Sequence, residues 1–370
     1  MTNEKNSSIK KGQVPMEDWT DWRWQVKNSI CTIDALKEQL PLDAQEEQQI
    51  GQCLERLKMR ITPYYLSLVD ENDPKDPIRL QCVPQTYELE GCPEESLDCL
   101  HEEESSPVPG LVHRYPDRVL FLATSSCYMY CRHCTRRHFV SKAPTVDMKQ
   151  QYDRCFAYIR EHTEVRDVLV SGGDPLTLPE ETLEYILRGI REIKHVEMIR
   201  IGSRVPVVLP FRITDELCSM LAKYHPLWLN THFNHPREVT EEAMAACARL
   251  VSHGIPLNNQ SVLLAGVNDS VEVMKELVHK LMVARVRPYY LYECDLVEGL
   301  GHFRTPVSTG LEIIEGLRGW TTGMAVPTFV IDTPGGKGKV PVQPEYVVES
   351  HPDHLILRNY ENAKINYSLK

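Results

Sequence analysis

The stretch RVLFLATSSCYMYCRHCTRRH, residues 118–138, decides how the rest of the chain is read. Its first six residues form an apolar run with the composition of a buried strand. The run ends in Cys127, Cys131 and Cys134, three thiols within eight positions, followed by the basic Arg136 and Arg137. Thiolates are soft donors that suit zinc, copper(I) or iron-sulfur clusters. Structural zinc ordinarily takes four ligands in paired knuckles, and no second knuckle is present. A 4Fe-4S cluster held by three thiolates keeps one iron open for a further ligand, so an incomplete set serves catalysis. Chemistry placed directly after a strand points to an α/β barrel, whose active site is built at the carboxyl ends of parallel strands.

Working outward, comparable runs occur at RDVLVSGGD (166–174), VEMIRIGSR (196–204), LWLNTHFNHP (227–236), IPLNNQSVLL (255–264) and VRPYYLYECD (286–295). Amphipathic helical patterns such as EETLEYILRGIREIK and SVEVMKELVHKLMVA alternate with them at about thirty residues per unit, the rhythm of βαβ crossovers. Six units are visible. In each, polar and glycine residues gather just after the apolar run, which predicts a partial (β/α)6 TIM-like barrel with its site at that rim. A doubly wound open sheet is the competitor, weakened because no GxGxxG follows the first strand. Residues 1–110 read as an N-terminal helical extension and connector, 111–325 as the barrel, and 326–370 as a C-terminal segment carrying a glycine-lysine loop.

The net charge of -11 over 370 residues disfavours nucleic acid as the main partner, because phosphate backbones would be repelled. No secretory pattern opens the chain and no run approaches the roughly 18 apolar residues of a membrane span, so the expected location is cytoplasmic. In a reducing compartment, clustered thiols bind metal more often than they pair. Cys31, Cys53, Cys82, Cys92, Cys99, Cys155, Cys218 and Cys247 show no ligand spacing and read as small hydrophobes or incidental thiols.

A second constellation is FVIDTPGGKGKVPV, residues 329–342. GGKGK is not the Walker spacing, so a nucleotide triphosphate is disfavoured. A lysine on a glycine loop can form a Schiff base with an aldehyde cofactor, of which pyridoxal phosphate is the common one; a solvated basic turn is the plainer alternative.

CYMYCRHC resembles the CxxxCxxC signature of the radical S-adenosylmethionine enzymes, in which the methionine part of the cosubstrate chelates the open iron. The ordered set CxxxCxxCTRRH, HRYPDR, SGGDPL, RIGSR, NTHFNHP, NQSVLL, YECDL, HFRTPVS and DTPGGKGK is similar to the lysine 2,3-aminomutase family from about residue 21 to residue 361. The resemblance implies a 4Fe-4S cluster on Cys127, Cys131 and Cys134, S-adenosylmethionine, and pyridoxal phosphate carried by Lys339, with Lys337 as the competing anchor. It further implies that Arg114 and Arg118 hold the cofactor phosphate and that Tyr115 packs on its ring. Gly172, Gly173 and Asp174 would meet the methionine amino group, and Ser203, Arg204, His232 and Gln260 would line the cosubstrate pocket.

Arg136 resembles the arginine that pairs with the substrate carboxylate, with Arg137 left to a structural part. Asp295 and Asp332 follow apolar runs, so their carboxylates should project into a partly closed rim where a cation relieves the cost of burial. In lysine-specific relatives an aspartate pair at these positions binds the side-chain ammonium. The implied reaction converts L-lysine into β-lysine, fed by an electron donor of the flavodoxin or ferredoxin type. An aminomutase acting on arginine, ornithine or a tailoring substrate, and a non-enzymatic iron-sulfur redox protein, are the alternatives. Better-known members continue into a cysteine-bearing tail that binds zinc between subunits. This chain ends at NYSLK and has Ser270 in LAGVNDS, so the expectation is no such zinc site and a smaller homo-oligomer.

Overall fold

A computed structural model describes residues 11–140, 142 and 147–370. Nine strands follow one another in chain order within a single sheet. They are β1 (Leu111–Tyr115), β2 (Arg118–Thr124), β3 (Asp167–Gly172), β4 (Met198–Gly202), β5 (Leu227–Thr231), β6 (Leu257–Val262), β7 (Val286–Tyr292), β8 (Thr328–Thr333) and β9 (Gly338–Pro341). β2 through β8 pair in parallel, while β1 and β9 run antiparallel to their neighbours at the two edges. The sheet is therefore a barrel left open between its first and last strands. It continues past residue 325, because the run before the glycine-lysine loop joins as a further parallel strand. The observed strands are shorter than the apolar stretches at their carboxyl ends, where Gly173 and Asp174, NHP and ECD leave the sheet to form the rim.

The period-two side-chain alternation of a strand divides the barrel into two environments. Val119, Phe121 and Ala123 on β2, Val168 and Val170 on β3, and Ile199 and Ile201 on β4 are buried in the main apolar core. Their partners there include Leu183, Ile186, Leu187 and Ile190, the apolar stripe of the helix Glu180–Arg191. Each such side chain contributes about 1.5–3 kcal/mol on burial. The alternate positions, Leu120, Leu169, Ser171, Arg200, Asn230, Asn258 and Gln260, face a hollow lumen. Polar residues in this inward set keep the interior available to ligands.

The N-terminal extension is helical, as its pattern predicted. The helix Ala44–Leu54 starts with a capping box in which Asp43 and Glu46 satisfy each other's backbone amides. Trp19, Ile61, Tyr64 and Tyr65 belong to the same core as the barrel strands. The extension is pinned by Thr62 Oγ1 donating to Val208 O at 2.6 Å and Tyr65 OH donating to Glu238 Oε1 at 2.6 Å.

The connector near residues 95–102 crosses the barrel rim as a strap. Ser96 exchanges backbone bonds with Leu296 and Glu298, Glu95 accepts from Gly299 N at 3.1 Å, and Cys99 O accepts from Gly335 N at 2.9 Å. It thus ties the loop after β7 to the loop after β8. Beyond the barrel, β10 (Val347–Ser350), β11 (His354–Arg358) and β12 (Lys364–Ser368) form a separate antiparallel meander. The sequence reading did not separate these strands, because they lack a buried face to impose a pattern.

Candidate active site

One cavity of about 720 Å³ occupies the lumen and rim, and every site residue expected from sequence lines it. The cysteine loop after β2 supplies one wall. Tyr130 N donates to Arg60 O, Arg60 Nη1 donates to Cys127 O, and Arg132 Nη1 donates to Lys58 O, so the extension clamps the loop backbone. Glu88, fully buried at its side chain, holds Arg132 at 2.6 Å and also pairs with Arg137. Arg137 is thereby turned away from the substrate space. Burial pushes the Cys127 thiol well up, with Asp174 and the neighbouring thiols adding; burial and then Cys131 push Cys134 up to about 11. Bound iron would reverse that cost, because a coordinating thiol is deprotonated outright.

The donor set fits a cluster. Cys127, Cys131 and Cys134 all line the cavity, three soft donors of the kind that hold a 4Fe-4S cluster with one thiolate to an iron.

Beside the thiols, Gly172 adopts a φ of +112°, and a Cβ at Gly173 would collide with the Ser126 backbone. Both positions require glycine because the backbone here packs directly on the backbone of residues 122–126 leading into the cysteine loop. The Asp174 carboxylate is taken up locally: Oδ1 accepts from Ser203 Oγ at 2.8 Å and Leu176 N at 3.0 Å, and Oδ2 from Arg204 N at 2.8 Å. Burial pushes Asp174 up to about 6 despite these bonds. His232 is held down to about 4 by burial and then Arg204, which keeps it neutral near pH 7. Gln260 Nε2 donates to Tyr292 OH at 2.8 Å, bridging β6 and β7.

The pyridoxal candidates lie where the sheet's open edges meet. Lys339 N, on β9, donates to Tyr115 OH, on β1, at 3.0 Å. Gly336 and Gly338 have φ of +68° and +101° and pass close to Arg114 and Tyr115. Lys339 Nζ reaches inward to Asp332 Oδ2 at 2.5 Å, whereas Lys337 is exposed and outside the cavity lining. Arg114 gives a guanidinium bond to Leu100 O, but its buried Nε has no partner, an orphaned donor suited to a phosphate oxygen. The Arg118 guanidinium lies over the Tyr115 ring at 4.0 Å. The residues present fit the cofactor that the glycine-lysine loop suggests.

At the substrate end, Arg136 is gripped by Glu102 through Nε at 2.7 Å and Nη2 at 2.6 Å. That leaves its Nη1 end facing the cavity without a hydrogen-bond partner among the described residues. Glu102 belongs to the acidic HEEESS run, where no sequence signal singles it out. Asp295 and Asp332 line the same cavity. Burial, then the Asp332 charge, pushes Asp295 up to about 7, and the buried Asp332 Oδ1 has no partner. Two carboxylates, one of them short of a donor, define a cation site.

A three-cysteine loop after the first parallel strand of an open barrel, above a cavity of about 720 Å³, is the arrangement that the resemblance to radical S-adenosylmethionine enzymes implies. The family model described as the Radical SAM superfamily matches residues 122–278, and the one described as Lysine-2,3-aminomutase matches residues 314–368. The chain is 60% identical to L-lysine 2,3-aminomutase of Clostridium subterminale, covering 95% of this chain and 84% of that protein. It is 55% identical to L-lysine 2,3-aminomutase of Bacillus subtilis, over 96% and 75% of the two chains. A glutamate 2,3-aminomutase of Clostridioides difficile is 45% identical, over 94% and 82%. The chain belongs to the lysine 2,3-aminomutase family.

Proposed function

We propose that this chain interconverts L-lysine and β-lysine by moving the amino nitrogen between C2 and C3, as an isomerase that uses a 4Fe-4S cluster, S-adenosylmethionine and pyridoxal phosphate. When bound, the cluster and cosubstrate supply a hydrogen-abstracting adenosyl radical, and the pyridoxal group supplies a carbonyl that carries the migrating nitrogen.

The protein's residues bind and orient. Arg136, held side-on by Glu102, presents its Nη1 end to the α-carboxylate. Asp295 and Asp332 receive the side-chain ammonium, which relieves the repulsion between them. Fixing both ends of a flexible chain sets the position of C3 along the cavity, the main lever when a reactive group must meet one carbon. Lys339 would hold the pyridoxal group; in the free chain its ammonium rests on Asp332 Oδ2 at 2.5 Å. Arg114 and Arg118 bind the phosphate, and Tyr115 steadies the loop through the Lys339 amide. The strap at residues 95–102 keeps the rim covered, which limits quenching by water. Cys127, Cys131 and Cys134 ligate the cluster, while Gly172, Gly173, Asp174, Ser203, Arg204, His232 and Gln260 surround the cosubstrate.

The observation that carries the reading is the aspartate pair in the cavity lining, Asp295 pushed up by burial and by the Asp332 charge, with Asp332 Oδ1 buried and without a partner. A glutamate-type side chain would add a third negative charge there. We further read the protein as a cytoplasmic homo-oligomer fed by a flavodoxin- or ferredoxin-type donor; among the described residues no helix is long and apolar enough to cross a membrane.

The deciding experiment is anaerobic incubation with S-adenosylmethionine, pyridoxal phosphate, a reductant and a panel of L-lysine, L-arginine, L-ornithine and L-glutamate, with product identification. β-Lysine should dominate, and D295N and D332N should each lower kcat/KM for lysine by at least tenfold. Turnover of arginine or glutamate in preference to lysine would overturn the assignment.

A further inference from the structure

Arg204 is more elaborately held than a lining residue needs to be. It follows β4 with 7% of its surface exposed. Nη1 donates to Cys131 Sγ at 2.8 Å and Nε to His232 O at 3.1 Å; Nη2 reaches Gln81 Oε1 at 2.5 Å, Glu238 Oε1 at 2.7 Å and Tyr65 OH at 3.3 Å. Glu238 is 0% exposed and saturated with donors. Its Oε1 also accepts from Tyr65 OH, and its Oε2 accepts from the Asn234 and His235 amides at 2.6 and 2.9 Å.

Only Arg204 donates a charged side chain to a cluster cysteine among the described residues. Cys127 and Cys134 take backbone amides, from Asp174 and Arg136. Burying an arginine-glutamate pair is expensive compared with apolar residues of similar volume, so an arrangement that ends on a ligating sulfur calls for a reason. Hydrogen bonds and charges at the sulfurs set the potential of an iron-sulfur cluster.

We propose that Arg204 is a positioning residue for electron entry, donating to the Cys131 thiolate so that the reduced cluster is stabilised, and that Glu238, one layer behind, tempers that effect. This rests on the radical S-adenosylmethionine reading of the cysteine loop. One electron passes from an external reduced flavin or iron-sulfur carrier to the oxidised cluster, and no bond or proton changes hands. The cation against the sulfur favours the added negative charge, and the anion behind it opposes the same charge with a weaker, more distant field. The two members of the pair therefore shift the cluster potential in opposite directions.

The test is an EPR-monitored potentiometric titration of the reconstituted full-length protein, without S-adenosylmethionine or lysine. R204Q should lower the midpoint by at least a tenfold change in the reduction equilibrium, about 59 mV for one electron. R204K should fall between R204Q and the native protein, because an ammonium cannot reproduce the fork. E238Q should raise the midpoint. R204Q strands the buried Glu238, so the double variant R204Q/E238Q is measured beside it, and it should still lie below the native value.

Thermal melts of all variants separate loss of fold from loss of tuning, and cluster content is read from iron and sulfide. A midpoint unchanged in R204Q and the double variant, or R204Q and E238Q moving in the same direction, would overturn the inference. A group serving only the cosubstrate would leave these potentials unmoved. Failure of the native protein to take up a 4Fe-4S cluster would instead overturn the reading beneath it.

Discussion

At Lys339 the backbone amide and the ammonium point to different partners, Tyr115 OH across the barrel seam and Asp332 within the cavity. K339A should therefore abolish the absorbance of bound pyridoxal phosphate, while K337A should keep it, since Lys337 faces solvent. Spectra of the two purified variants decide between the lysines. Asp295 gives a pH dependence. With its carboxyl pushed up to about 7 in the free protein, lysine must displace a proton to bind below that pH. The sign follows: lysine affinity should rise from pH 6 to pH 8, by at most tenfold per unit below the pKa, with proton release on binding. Titrating the pyridoxal absorbance with lysine across this range, in native protein and D295N, checks it; D295N should bind at least tenfold more weakly at pH 8 and show a flatter profile.

The chemistry-bearing residues were legible in sequence where a residue type is scarce and its spacing constrained, as with Cys127, Cys131 and Cys134. Glu102, Glu88 and Glu238 were not. Each is one acid among many, and its role depends on an arginine 34 or more positions away that only the fold brings to it.

Among the elements, parallel strands β2 to β7 could be read because each supplies an apolar run followed by a polar rim. β1 and β9 could not. HRYPDR and GKGKV read as motifs, and their edge positions remove the demand for a continuous apolar pattern. The strap at residues 95–102 left no trace beyond its composition, since its bonds through Ser96 and Cys99 use backbone groups that any residue supplies and Glu95 and Glu102 are two acids among many. It is testable through Gly336, where φ is +68° and a Cβ would stand 2.7 Å from Leu100 O. G336A should cost about 1–2 kcal/mol in backbone strain alone. It should also push the strap from the lysine loop, lowering the melting temperature and weakening pyridoxal phosphate binding.

For the whole molecule, the decisive contact is between extension and barrel. Trp19, Ile61, Tyr64 and Tyr65 share the core with Val168 and Ile199, so the two parts have no separate apolar interiors. Calorimetry of the native chain should show one cooperative transition, not two, for residues 11–341. A fragment beginning at residue 111 should lose that transition and aggregate through the uncovered face. The acidic balance was legible from composition, but Arg132, Arg137 and Arg204 are interior, each paired with a glutamate whose side chain is fully buried, Glu88 or Glu238.

The open seam of the sheet has a consequence for biogenesis. Ribosomal synthesis delivers Cys127, Cys131 and Cys134 long before it delivers Lys339, and the cysteine loop is braced by residues that precede it, among them Lys58, Arg60 and Glu88. The vitamin-derived group waits on the opposite schedule, because its lysine meets Tyr115 across 224 positions of chain. The proposed pyridoxal site is therefore complete only once the final barrel strand has docked, whereas the residues that brace the cysteine loop from its amino-terminal side are made before the cysteines themselves.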